Sequence, residues 1–189
     1  MRWAEELLPE ELDIMKRVSG LPVNVPAIAV VTNIWRAAQA LKATAERTVL
    51  REYGLSWASF STLYILWIWG PLETRALARS QGVSRPTVTS LVDTLERRAF
   101  VRRCPVESDR RLVTVELTAE GQDCIERVYP IFNRTIEAGI VAGLDRDEQD
   151  QLACLLRAVI ASTLSIGQHN GGDAESEVAD DGRDASRAS

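Results

Sequence analysis

Between Leu72 and Leu117 the chain reads strand, helix, turn, helix and two-stranded hairpin, and this run limits the possible folds more than any other stretch. Leu77 and Ala78 give a short helix its apolar face behind Glu73 and Thr74. Gly82-Val83-Ser84 then breaks that helix with a glycine able to turn left-handed and opens the next with an N-cap serine. The spacing is that of a helix-turn-helix. From Ser84 onward Val88, Leu91, Val92 and Leu95 recur at helical spacing and take the buried face, so Arg85, Pro86, Thr87, Thr89 and Ser90 turn outward near the helix start. A small, polar to basic leading edge fits a DNA major groove. Arginine grips guanine O6 and N7 with two bonds, a threonine methyl meets thymine, and hydroxyls with the free N–H groups of a first turn hold phosphate.

After Arg97-Arg98-Ala99 the apolar period falls from 3.6 to 2. Phe100 to Arg103 and Leu112 to Leu117 predict two strands of a hairpin wing whose tip carries Asp109-Arg110-Arg111. Six arginines from Arg97 to Arg111 face only Glu107 and Asp109, a local excess of four positive charges in a chain of net charge −5. A wing-tip arginine suits a narrow minor groove, with Asp109 bracing a neighbouring arginine. Thr74 and Arg75, at the start of the first helix, and Arg103, at the wing base, complete the candidate DNA contacts.

Gly70-Pro71-Leu72, Leu77-Ala78, Gly82 to Thr89, Leu91 to Arg98, Asp109-Arg110-Arg111 and Leu117 to Gly121 resemble the winged helix-turn-helix of the MarR (multiple antibiotic resistance regulator) family. The likeness is strong from Leu55 to Gly121 and looser from Pro26 to Ser165. It implies a mainly α fold with a small β wing, and a homodimer on a double-stranded DNA operator. Such regulators are often repressors released by a small phenolic or aromatic ligand or by thiol oxidation. Two positions depart from the pattern. Ala99 stands where a helix-ending glycine is usual, which alters the helix exit, and Gln81 stands where leucine usually packs, which puts a polar spot beneath the motif.

The flanking segments read as support. Residues 1–25 form an N-terminal extension: one amphipathic helix begins at or before Pro9, and the Leu21–Pro26 connector is held extended by its two prolines. Residues 26–54 form a long helix without proline or glycine in its body, and Val31, Ile34, Ala38, Leu41, Ala45 and Thr48 give it a heptad-like dimerisation seam. The lobe 55–117 opens with a helix capped by Ser56 and apolar almost all round. Its Trp57, Phe60, Tyr64 and Trp67, with Trp35 of the preceding helix, are candidates to line a pocket for a small aromatic effector, against the plainer reading that they are core. Residues 118–166 supply two more dimerisation helices, one capped by Thr118 and crossed by Pro130, the other opened by an Asp145–Glu148 capping box. Residues 167–189 read as a disordered acidic tail.

Charge and cysteine usage narrow the function further. The last twenty residues carry a net −4, which leaves the body close to neutral, so the local arginine excess decides the partner and the total does not. No apolar run is long enough for a membrane span and the N-terminus is acidic, so a cytoplasmic protein with no membrane partner is expected. Cys104, Cys124 and Cys154, widely spaced, suggest neither a disulfide framework nor a metal site, and with His169 as the single histidine no catalytic triad can be assembled. No glycine loop cradles phosphate, so an enzyme is not expected, nor a cofactor. Cys104 sits at the wing base beside Arg102 and Arg103, surroundings that could lower a thiol pKa and support redox sensing, although an inert strand residue is the plainer reading. The expectation is a dimeric, sequence-specific transcriptional regulator on a palindromic operator. The alternatives are a winged-helix module for protein partners and a thiol-responsive regulator acting through Cys104.

Overall fold

A computed structural model describes residues 7–106 and 109–180 of the chain; the side chains of residues 106, 109–112, 140 and 166–180 are not among those described. The order is α1 (Pro9–Val18), α2 (Val25–Thr48), a 3-10 turn (Leu50–Tyr53), α3 (Trp57–Trp69), β1 (Leu72–Glu73), α4 (Thr74–Gln81), α5 (Arg85–Arg97), β2 (Val101–Val106), β3 (Asp109–Leu117), α6 (Ala119–Thr135), a π turn (Ile136–Ile140) and α7 (Arg146–Asp180). One antiparallel sheet runs β1-β3-β2, with Leu72 opposite Val115, Val101 opposite Leu117 and Cys104 opposite Thr114. This is the expected mainly helical fold with a small wing. The chain divides into two compact units, 1–136 and 137–189. The sequence reading groups α6 with the last helix; the structure places α6 in the first unit, because Cys124, Ile125, Val128 and Phe132 are buried in that unit's core.

α3 is the hub of the first unit. Phe60, Leu63, Ile65 and Leu66 are buried, and so are the polar Ser59 and Thr62. Neither is stranded. Ser59 bonds Ser56 through its amide and hydroxyl, and Thr62 Oγ1 donates to Ala58 O at 2.9 Å while accepting from Gln81 Nε2 at 2.8 Å. The polar spot expected at Gln81 is therefore a satisfied tie between α4 and α3, since a buried amide needs such a partner. Glu46 of α2 accepts from the Trp57 amide at 2.7 Å, fixing where α3 leaves α2. On α5, Val88, Val92 and Leu95 are fully buried, each worth about 1.5–3 kcal/mol of burial.

The exit of α5 is tightly specified. Ala99 takes φ 58°, the left-handed conformation that a glycine would adopt without steric cost. Its carbonyl accepts from Thr118 Oγ1 at 2.5 Å, and Phe100 O accepts from the Thr118 amide at 3.1 Å. Thr118 also caps α6 by accepting from the Gly121 amide at 3.1 Å. A Cβ on Gly121 would stand 1.9 Å from Phe100 O, so this approach of helix to strand requires glycine.

α1 lies against α2 through polar pins. Glu11, 8% exposed, accepts from the Leu8 amide and from Asn33 Nδ2, both at 2.9 Å, and Glu10 pairs with Arg36 at 2.8 Å. Beside them Ile14, Met15 and Val18 line one small cleft with Val25, Ile28 and Ala29. Along α2 the heptad-like seam divides: Ala45 is buried and Leu41 packs on the core, whereas Val31 is exposed and Val30 and Trp35 lie open beside it. In the second unit, α7 opens with the expected reciprocal Asp145–Glu148 bonds, both 2.9 Å, and Leu152, Leu155, Val159, Ile160 and Leu164 are exposed. The α7 backbone continues to Asp180, through the first part of the segment read as a tail. Those residues contain alanine and glutamate, good helix formers, and no proline; three glycines, Gly167, Gly171 and Gly172, at about 1 kcal/mol each do not end the helix. Residues 181–189 of the expected tail, and residues 1–6 of the N-terminal extension, lie outside the described residues.

The α5 exit yields two opposite stability changes. Gly121→Ala, forced into Phe100 O, should cost about 1–3 kcal/mol as an overpacking substitution. Ala99→Gly should gain about 0.5–1 kcal/mol, the left-handed penalty outweighing the extra freedom of the unfolded glycine. Urea melts of the two variants should move to opposite sides of the parent midpoint; a shift in the same direction would contradict this account of the junction.

Candidate nucleic-acid interface

α4 ends on Gly82 at φ 65°, the chain turns through Val83, and Ser84 caps α5. Ser84 Oγ accepts from the Thr87 amide at 3.3 Å and lies 2.8 Å from Thr87 Oγ1. With Val88 and Val92 committed to the core, Ser84, Arg85, Pro86, Thr87, Thr89 and Ser90 are all exposed. Thr89 Oγ1 donates to Arg85 O at 3.0 Å, so its methyl and lone pairs are what remain to offer outward. The five residues expected along the leading edge, with the cap Ser84, form one solvent-facing surface, and the N–H groups of the first helical turn open toward it.

Beside this edge, Arg75, Ala78, Arg79, Gly82, Val83 and Arg85 line an open concavity between α4 and α5. Arg75 is exposed and paired with Glu73 at 2.6 Å, while Thr74 is half-buried. Arg79 and Arg85 are exposed and, among the described residues, meet no carboxylate. Arg79 was missed by the sequence reading; its spacing of four from Arg75, on the helix face opposite Leu77, is the signal that finds it.

Arg103 departs from expectation. It reaches back from β2 to α5, pairing with Asp93 at 2.6 Å and with Glu96, whose other oxygen accepts the Arg103 amide at 3.2 Å. In this structure its guanidinium joins wing to helix and is not free for an outside partner. Arg102 is likewise paired with Glu116 at 2.5 Å. The backbone of the wing tip runs in β3, and the side chains of Asp109, Arg110 and Arg111 lie outside those described.

The aromatic candidates separate into two groups. Trp57, Phe60, Tyr64 and Trp67 join Tyr129 and Phe132 of α6 in one cluster, with Phe60 and Phe132 centroids 4.7 Å apart and Tyr64 stacked on Tyr129 at 5.4 Å. Burial, with Tyr129 adding to it, raises the Tyr64 phenol above its usual pKa, so it stays protonated as a potential donor. Trp35 is not brought into this cluster: it is 62% exposed on α2. The two α6 aromatics lie far along the chain, which is why periodicity within single helices did not connect them to α3.

The sequence model of the MarR family matches residues 55–113. The chain is 42% identical over 158 residues to the HTH-type transcriptional regulator YwaE of Bacillus subtilis, covering 82% of this chain and 92% of that protein. Among solved structures it resembles Bordetella bronchiseptica BpsR, described with the regulation of its DNA binding by 6-hydroxynicotinic acid, at 26% identity and TM-score 0.62 over 69% of this chain and 98% of that one. It also resembles Sco3205 of Streptomyces coelicolor, solved in complex with DNA, at 23% identity and TM-score 0.66 over 74% and 89%.

Cys104 does not have the surroundings of a reactive thiol. Its Sγ donates to Glu116 Oε1 at 3.2 Å. That bond, then burial and the carboxylate's charge, push the thiol above its usual pKa, and Arg102 opposes them with less effect. This corrects the notion that neighbouring arginines activate it, because Glu116 stands between. Glu116 is in turn held below the usual carboxylate range, first by Cys104 and then by Arg102. A lowered carboxylate stabilises the fold above its unfolded pKa and loses that contribution as pH falls through its folded value; a raised thiol does the reverse on the alkaline side. Glu116→Gln should therefore lower the Cys104 pKa and speed its alkylation at pH 8 several-fold relative to the exposed Cys154, as counted by peptide mass spectrometry. An unchanged or slower rate would show that the carboxylate does not restrain the thiol.

Proposed function

The chain belongs to the MarR family of DNA-binding transcriptional regulators, and from that premise we propose that it acts as a homodimeric repressor on a palindromic operator, released by a small planar aromatic ligand. The observation that carries the reading is the division of α5 into a fully buried Val88-Val92-Leu95 face and an exposed edge from Ser84 to Ser90, flanked by the arginine-lined concavity. The first turn of α5 enters the major groove. Arg85, Thr87, Thr89 and Ser90 reach base edges or phosphate, Thr74, Arg75 and Arg79 hold the backbone, and the wing tip at Arg110 and Arg111 follows the minor groove with Asp109 bracing it. Arg103 serves this surface by positioning the wing.

Two copies supply symmetry. Each unit offers an exposed apolar face that water disfavours, Val30, Val31 and Trp35 on α2 and Leu152, Leu155, Val159 and Ile160 on α7, and a second copy that covers them presents two reading helices one DNA turn apart, about 34 Å. The Trp57, Phe60, Tyr64, Trp67, Tyr129 and Phe132 cluster supplies flat apolar surfaces and a phenol donor, a chemistry suited to an aromatic effector; ligand-regulated DNA binding by BpsR supports that reading. An operator-reading role places the protein in the cytoplasm.

Binding to the DNA upstream of its own gene, titrated in salt beside a scrambled duplex of equal length, tests the proposal. Specific binding should exceed the scrambled duplex by about 10³-fold or more and weaken linearly in log salt. Arg85→Ala should cost about 1–3 kcal/mol and relax sequence preference, whereas Arg79→Ala should weaken both duplexes alike and lower the salt slope by about one. Equal affinity for both duplexes would remove the operator and leave a winged-helix surface for protein partners. Quenching of tryptophan fluorescence by aromatic acids that also release DNA would identify the effector class.

A further inference from the structure

Arg98, the residue that ends α5, does something the DNA-reading surface does not require. Its Nη1 donates to Gly54 O at 2.5 Å and its Nη2 to Tyr53 O at 3.0 Å, across 44 and 45 positions of sequence. Its guanidinium carbon lies 4.5 Å from the centroid of the Phe100 ring, which supports the plane from its own side. The two carbonyls belong to the end of the 3-10 turn that continues α2, where the unpaired C=O groups of a helix end favour a cation. Gly54 takes φ 62°, and a Cβ there would come within 3.3 Å of Arg98 Nη2, so the turn is shaped to admit the guanidinium. The planar fork of arginine matches two adjacent acceptors, which the point charge of lysine cannot do.

From this geometry we infer that Arg98 is a positioning residue that clamps the C-terminal end of the recognition helix to the end of α2, and that through this clamp the long helix sets the spacing of the two reading heads. The inference rests on the two-headed DNA reading proposed above. α5 is 13 residues long, so Arg98 stands about 20 Å from the groove-entering turn and acts on spacing without touching the bases there. Loss of the clamp leaves each head able to read its half-site, because Val88, Val92 and Leu95 still seat α5. What is lost is the fixed distance on which simultaneous engagement depends.

Arg98→Met keeps the apolar stem over Phe100 and removes the donors; Arg98→Lys keeps the charge without the fork. Binding is measured to the duplex that the parent protects upstream of its gene, to the same duplex with one half scrambled, and to one with two base pairs inserted at its centre. The Met variant should bind the intact duplex about tenfold more weakly, bind the half-scrambled duplex within about twofold of the parent, and lose much of the parent's penalty for the insertion, with Lys between the two. Hydrogen exchange without DNA should quicken at Gly54, Leu55 and residues 96–99 while Val88 and Val92 stay protected. An equal loss on intact and half-scrambled duplexes, or no loss on either, overturns the inference, as does unchanged exchange at both ends of the clamp. A parent that does not distinguish intact from half-scrambled DNA refutes the two-headed reading itself and, with it, the claim about spacing; the exchange measurement then decides the clamp alone.

Discussion

The backbone carbonyls of Ala99 and Phe100 are the point at which the first unit is tied together. Thr118 spends its hydroxyl on one and its amide on the other, then caps α6 with the same side-chain oxygen, and Gly121 lets that helix approach Phe100 O closer than any Cβ allows. α5, the sheet and α6 therefore share one short segment. Each bond alone is worth about 1 kcal/mol net, but because they converge on one short segment the register of all three elements is fixed together. The strained φ of Ala99 persists because its surroundings determine it from both sides.

Flanking that segment, arginines are divided between internal and external work. Arg98 holds the end of α2's 3-10 turn, Arg102 holds Glu116, and Arg103 holds Asp93 and Glu96, so three of the six arginines counted in the sequence brace the lobe. Their exposure makes each contact modest in isolation. Together they fix direction. With the wing base held to α5 at Asp93 and Glu96, and α5 held to the turn at Tyr53 and Gly54, the leading edge of α5 is aimed by contacts at its far end.

Local signals in the sequence were the reliable ones. Ser56, Ser84, Thr118 and the Asp145–Glu148 box all cap as read, and Gly82 turns left-handed, because each depends on residues within four positions. What local patterns leave open is decided by distant residues. Arg103 looked like a free cation because its partners sit on another element, and Trp35 looked like a companion of Trp57 because periodicity records a face without saying what covers it. The packing of α6 on α3 was hidden for the same reason: its apolar stripe is visible in sequence, while the α3 aromatics that it covers are not adjacent to it.

The acidic total charge is no obstacle to a polyanionic partner once distance is considered. At physiological salt the screening length is about 8 Å, so a phosphate at the α4–α5 concavity responds to the charges lining it and hardly to acids farther off. Several acids near the lobe are already offset: Glu73 by Arg75, Glu116 by Arg102, and one of the two charges of Asp93 and Glu96 by the Arg103 they share. Arg79 and Arg85 meet no such partner among the described residues, so the field at the concavity is positive although the sequence sums to −5. The internal pairs thus do two things at once, fixing the direction of α5 and offsetting acids that would repel a polyanion.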